Sequence, residues 1–122
     1  MTKTGALYKF FSSFGIDAYP VTAVPDEVRL PYMTYEVATD VWGSQPVPIN
    51  VNLWFRTTGE REPNALADRI SEAVGLGGIM VPCDEGAIWI KRGTPYMLAL
   101  KDEADHAIKR RSINLSLEFL TL

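Results

Sequence analysis

The groups able to do covalent chemistry are few in this chain and stand far apart. The one histidine, His106, lies in the charged stretch 101–107 beside Asp102 and Asp105, and the one cysteine, Cys83, lies in Cys83-Asp84-Glu85-Gly86. A nucleophilic triad needs an imidazole oriented by a carboxylate and paired with a hydroxyl or thiol. Here the carboxylates belong to a solvated segment and no nucleophile elbow accompanies them. A single His and a single Cys give no structural zinc spacing, and no acidic loop has the pattern of a calcium or magnesium site. Gly75, Gly77 and Gly78 follow a helical pattern and precede the apolar run 79–81. That reverses the strand, glycines, helix order that turns N–H groups and a helix dipole toward a phosphate. These residues predict no catalytic site, no cofactor site and no metal site; the expectation is a protein that is not an enzyme.

Binding through a side-chain surface is the chemistry that is left, and strand parity says where to look for it. Residues 111–119 alternate polar and apolar, which reads as a strand with Ile113, Leu115, Leu117 and Phe119 facing a core and Ser112, Asn114, Ser116 and Glu118 facing away. Residues 49–55 repeat the pattern, with Ile49, Val51, Leu53 and Phe55 inward and Asn50, Asn52 and Trp54 outward. These two strands are expected side by side in the middle of one sheet. Trp89, between Ile88 and Ile90, joins Trp54 on the outer face by the same parity. A polar outer face needs no aromatic residue, so the two tryptophans predict a partner surface, or else a cover formed by the loop 43–48. Trp42, at the base of that loop, is expected either as a plug beneath it or as a contact for another molecule. Lys109, Arg110 and Arg111 form a basic cluster at the start of the last strand, where the simplest role is a solvated strand end balancing Asp102, Glu103 and Asp105.

Several elements must position these residues. Leu7, Phe10, Phe11 and Phe14 fall on one stripe and predict a helix over residues 3–14, closed by Gly15 in a left-handed conformation. Pro20, Pro25 and Pro31 restrict 16–31 to extended or turn backbone, with a short edge strand over 18–24. Residues 32–37 form the first firm strand, extended by Val41 and Trp42, and the composition of 43–48 marks an exposed loop outside either ladder. Pro63 is placed as the first residue of an amphipathic helix that buries Leu66, Ala67, Ile70, Ala73 and Val74 and ends at Gly75. A hairpin turn at 83–86 joins the run 79–81 to a strand over 87–92. Residues 93–95 then turn the chain into a further strand carrying Tyr96, Leu98 and Leu100. The predicted fold is α+β, a mostly antiparallel β-sheet with an N-terminal helix and a central helix packed on one face.

A chain of 122 residues fits a single domain spanning 1–122, and its net charge of -3 disfavours retention on nucleic acid or anionic lipid by bulk electrostatics. A lone cysteine forms no internal disulfide, so a reducing compartment is the simpler expectation. The first fifteen residues lack the apolar run of a signal peptide, and no stretch approaches the roughly 20 apolar residues of a membrane span.

Taken together, the phenylalanine-striped helix, Leu30-Pro31-Tyr32-Met33-Thr34-Tyr35, the helix after the second strand, the hairpin 84–95 and the closing strand 110–118 resemble the tail terminator, or tail-completion, proteins of long-tailed bacteriophages. The resemblance spans most of the chain and is one of order and texture. It implies a structural virion protein, commonly a homo-oligomer ring with six subunits, that caps the tail tube and offers the head–tail joining surface. Its partners would be the tail tube protein and a head–tail connector or head-completion protein. DNA would pass through without being read, and the protein would sit in the virion tail after assembly in the host cytoplasm. Lys109, Arg110 and Arg111 would then lie near the lumen or the tube-facing rim. The alternatives are another connector or neck protein, a sheet-based binding module, or a single-stranded nucleic-acid binder that stacks bases on Trp54 and Trp89.

Overall fold

The alternation at the end of the chain extends beyond the stretch that announces it: the last strand, β6, runs Ile108–Thr121 and has a strand on each side. The structure, a computed structural model, describes residues 1–121. In chain order it places α1 (Lys3–Phe11) with a 3-10 turn at Ser12–Phe14, β1 (Asp17–Pro20), β2 (Tyr32–Tyr35), β3 (Val47–Arg56), α2 (Arg61–Val74), β4 (Ile79–Cys83), β5 (Gly86–Lys101) and β6. The sheet order is β1-β2-β3-β6-β5-β4, with β1 and β2 parallel and every other neighbouring pair antiparallel. The architecture is α+β, with β3 and β6 paired at the centre from Val47/Leu117 to Arg56/Ile108.

One face of the sheet is closed by both helices. Ile49, Val51, Leu53 and Phe55 of β3 and Ile113, Leu115, Leu117 and Phe119 of β6 are buried with Leu7, Phe10, Phe11 and Phe14 of the N-terminal helical segment and Leu66, Ala67, Ile70 and Val74 of α2. Thr2 caps α1, its hydroxyl accepting from the Gly5 N–H at 3.0 Å, and Gly15 ends the segment at φ 89°. Phe11 stacks on Tyr35 of β2 at 4.6 Å, which fixes α1 across that side of the sheet. The second helix begins at Arg61 rather than at Pro63. The proline stays within the first turn, where its missing N–H has no intrahelical partner to lose. Ala73 is exposed, because the row that touches the sheet runs through Leu66, Ile70 and Val74.

Four other expectations change, and the last of them alters where side chains point. The first strand is Asp17–Pro20, and Val41 and Trp42 do not extend β2, which ends at Tyr35. Val47 and Pro48 leave the loop and join β3 opposite Leu117 and Ser116. Residues 93–95 do not turn the chain, because β5 continues to Lys101 and absorbs them in a bulge between Arg92, opposite Leu115, and Met97, opposite Ile113. Gly93 lies against Asn114, where an added Cβ would meet the Asn114 backbone at 3.0 Å. The bulge resets the parity of the strand. Met97 faces the core side with Ile113, and Leu98 and Leu100 move to the outer face opposite Ser112 and Arg110. Tyr96, within the bulge, still reaches the helix side and donates to the Ala67 carbonyl at 2.6 Å.

Leu115 and Leu117 are closed in by the sheet and both helices, so Leu115→Ala or Leu117→Ala is expected to lower unfolding free energy by about 2–5 kcal/mol in urea titrations. Ser116→Ala, on the opposite face between them, is expected to stay within about 1 kcal/mol. Losses below about 1 kcal/mol at both leucines would contradict the parity of β6.

Candidate interaction face

On the face away from the helices, side chains form rows that run straight across the strands. At one end Asp17, Tyr32, Trp54, Arg110 and Leu100 lie in register over β1, β2, β3, β6 and β5. The next row is Tyr19, Thr34, Asn52, Ser112 and Leu98. Toward the other end come Lys91 opposite Ser116, and then the row Met80, Trp89 and Glu118. The face is thus two apolar and charged bands separated by a band of amides and hydroxyls.

The polar band is largely satisfied within the chain. Asn50 Nδ2 donates to Ser112 Oγ at 2.7 Å, Asn52 Nδ2 donates to Asn50 Oδ1 at 2.8 Å, and Asn114 Nδ2 donates to the Pro95 carbonyl at 2.9 Å. Such a ladder locks neighbouring strands in register on the wet side of a sheet. Asn52 Oδ1 is a buried acceptor without a hydrogen-bond partner.

Trp54 projects outward as parity requires, and neighbouring strands hold it. Its indole N–H donates to Thr34 Oγ1 at 3.2 Å; one ring face stacks on Tyr32 at 6.0 Å, and the Arg110 guanidinium stands 5.3 Å from the ring. Tyr32 is followed outward by Tyr19 at 6.2 Å. This occupies the π surface that a stacked base would need. What is left to a partner is the band's rim. Leu98 is 51% exposed and Leu100 37% exposed, and Leu100, Lys101, Glu103 and Arg110 line a cleft of about 540 Å³ beside Trp54. Parity from the sequence located Trp54. Leu98 and Leu100 escaped it because the bulge that turns them outward has no period-2 signature.

Trp89 also lies on the outer face, partly covered by its own chain. Its N–H donates to the Gly77 carbonyl at 2.9 Å, and Lys91 Nζ sits 4.2 Å from the ring while also reaching Glu118 at 3.3 Å. The cover comes from the turn after α2 and not from residues 43–48. Gly78, at φ 85°, has no room for a side chain between that turn and the indole. Trp42 belongs to the opposite face: it packs at the margin of the core, with Lys3 Nζ 4.2 Å over its ring and Gly86 against its edge. Its ring is half-buried there, as the plug alternative requires.

The basic cluster does not form one patch. Arg110 faces outward with Trp54, whereas Arg111 faces the helices and is 1% exposed. Consecutive strand residues point to opposite sides, so three adjacent cations cannot share a face. The Arg111 guanidinium lies under the start of α2, with Nε donating to Asn64 Oδ1 at 2.9 Å, one terminal nitrogen donating to the Arg110 carbonyl at 3.2 Å and the other 3.3 Å from Glu60. Its assignment to a lumen or rim is corrected on this ground. Lys109 is half-buried, its ammonium 3.3 Å from the His106 carbonyl.

The groups with covalent potential are separated by the fold. Cys83 sits at the β4–β5 turn and His106 beyond the far end of β5, a strand of sixteen residues that spans roughly 45 Å at ordinary strand rise. Burial, with Asp84 beside it, pushes the Cys83 thiol up and away from thiolate character. Burial also raises the Tyr96 phenol, whose proton is held on the Ala67 carbonyl. Hydrogen bonding from Arg56, at 2.7 Å, holds the Asp105 carboxyl below its usual range and ties the β5–β6 loop to the end of β3. Among the described residues no cluster of His, Cys, Asp or Glu could hold a metal ion, and no helix is long and apolar enough to cross a membrane. No protein-family model, curated protein or solved structure matches this chain.

Arg111→Ala is expected to destabilise the fold by about 2–4 kcal/mol, through the lost aliphatic stem and an undocked α2 start. Arg110→Ala is expected to cost about 1 kcal/mol or less. Equal, small shifts in urea midpoint for both variants would contradict the buried placement of Arg111.

Proposed function

We propose that this chain is a structural assembly subunit of a phage tail. In this reading it is a tail terminator, or tail-completion, protein that forms a ring on the finished tail tube and offers the surface on which the head joins. The observation that carries the reading is the outer-face band Tyr32, Trp54, Arg110 and Leu100 with the neighbouring Leu98. It is a row of aromatic, cationic and aliphatic side chains, with Asp17 at its end, on a five-strand register, and among the described residues no helix lies over it. Aromatic and arginine side chains framed by polar groups are the composition of an interface core. The separation of Cys83 from His106 favours an interaction role over nucleophilic catalysis. The resemblance in element order and texture supplies the tail context, which the band alone does not.

In such a ring, Arg110 and Lys101, at the same end of the sheet, would attract the phosphates of passing DNA, and the net charge of -3 would keep that contact loose. The second reading is another head–tail connector or neck protein, which would use the same band for a different neighbour. Base stacking on the tryptophans is the weaker alternative, because Tyr32 and Arg110 already flank Trp54.

The test is to add the purified chain to tail tubes lacking a terminator and to follow tube length, subunit stoichiometry and head joining. The expected result is a capped tube carrying a closed ring. With Trp54→Ser, the chain is expected to unfold cooperatively with a loss of about 1–3 kcal/mol and to fail in joining. Tubes that neither bind the wild-type chain nor stop growing would sink the tail reading. Normal joining by a folded Trp54→Ser subunit would remove the outer band from it.

A further inference from the structure

β4 covers β5 only from Gly86 to Ile90, so the second half of β5 is an open edge of the sheet. The direction of its backbone groups follows from the ladder. The Asp102 N–H donates to the Ile108 carbonyl at 3.0 Å, which makes Asp102/Ile108 a bonded pair. Bonded and non-bonded pairs alternate in an antiparallel ladder. Leu100/Arg110 and Leu98/Ser112 are therefore bonded, and Lys101/Lys109, Ala99/Arg111 and Met97/Ile113 point their N–H and C=O groups away from each other. The other side of β6 agrees. The Thr57 N–H donates to the Ala107 carbonyl at 2.7 Å, so Phe55/Lys109, Leu53/Arg111 and Val51/Ile113 are the bonded pairs of β3 and β6. Met97, Ala99 and Lys101 thus present their backbone donors and acceptors outward, with no further strand beside them among the described residues.

Lys101 is the one charged residue in this segment, and it stands at its end. The other edge strands each contain a proline, Pro20 in β1 and Pro82 in β4, and a residue without an N–H blunts an edge. Residues 97–101 contain none, and Leu98, Ala99, Leu100 and Lys101 are all exposed.

We propose that residues 97–101 pair antiparallel with the same segment of a second copy of this chain, about a two-fold axis through Ala99. Ala99 then bonds the partner's Ala99, and Met97 bonds the partner's Lys101, each pair exchanging two N–H···O bonds. Leu98 faces the partner's Leu100 on the outer side, at the closer, non-bonded spacing where side chains meet best. The segment is self-complementary in this arrangement: leucines flank Ala99 on both sides, and each lysine ammonium lies opposite a methionine rather than its own copy. The two sheets become one continuous sheet, and the exposed leucines are covered. The contact is isologous and closes at two chains, whereas a ring requires a heterologous contact, so it is independent of the tail reading. A five-residue ladder buries less than a standard interface of about 1,600 Å², which places the dimer in the weak class.

The experiment measures the mass of the full chain by sedimentation from micromolar to millimolar concentration, alongside Ala99→Pro. The Ala99 N–H points away from β6, so proline there keeps the ladder within the chain and removes the central donor between copies. The wild-type mass is expected to rise toward twice 13.6 kDa while Ala99→Pro stays at one chain with an unchanged far-UV spectrum. Amide exchange in the wild type gives a second readout that needs no variant. The Leu98 amide is expected to be protected at every concentration and the Ala99 amide only as concentration rises. A wild type that stays monomeric throughout, or an Ala99 amide indifferent to concentration, overturns the proposal. An Ala99→Pro variant that reaches the same two-chain mass as the wild type also overturns it, whereas a six-chain species present in both leaves the ring reading standing.

Discussion

The ladder between β3 and β6 is the constraint on which the rest of this structure depends. It pairs ten residues on each strand, from Val47/Leu117 to Arg56/Ile108, and it aligns two period-2 patterns so that Ile49, Val51, Leu53 and Phe55 fall on the same side as Ile113, Leu115 and Leu117. A slip of one residue would send Leu53 and Leu115 to water and bring Asn50, Asn52 and Asn114 inward without partners. The side-chain network from Asn52 through Asn50 to Ser112 locks the same register from the wet side. Core and outer face are thus two consequences of one alignment.

Each helix is held to that ladder by a different kind of contact. α1 docks through aromatic packing, with Phe11 stacked on Tyr35 and Phe10 set edge-on to Phe11 and Phe14. α2 docks through an aliphatic stripe and through Arg111, whose guanidinium is buried under the first turn. A cation there faces the positive end of the helix dipole, an arrangement that needs compensation. Glu60, just before the helix, and Asn64, in its first turns, provide it. The basic cluster is therefore divided by function: Arg111 positions a helix, and Arg110 belongs to the aromatic band outside.

The bulge in β5 links fold to surface. By taking residues 93–96 out of the alternation, it sends Met97 to the core side and sets Leu98 and Leu100 on the outer face beside Trp54 and Arg110. It also follows the point where β4 ends, so the strand past it has one free edge and one apolar face. An exposed band and an open edge at the same end of the sheet make that end the part of the molecule suited to contacts with other chains.

The sequence by itself determined what depends on local period and local stereochemistry. The phenylalanine stripe, the Gly15 stop, the amphipathic face of α2, the two central strands and the outward direction of Trp54 and Trp89 could all be read from it, because each repeats within a few residues. The burial of Arg111 was also legible, since it shares parity with Ile113, but the charge of its neighbours drew it to the surface reading. Only the tertiary structure decided the rest. Whether β5 turns or bulges at residues 93–95 depends on β6 lying alongside to hold both halves, and nothing local distinguishes the two. Trp42 and Trp89 differ in role because of residues distant in sequence, Gly86 and Lys3 for one and Gly77 for the other. Which strand edge stays open is a property of the sheet order, and sheet order is set by long-range pairing that no single stretch of the chain encodes.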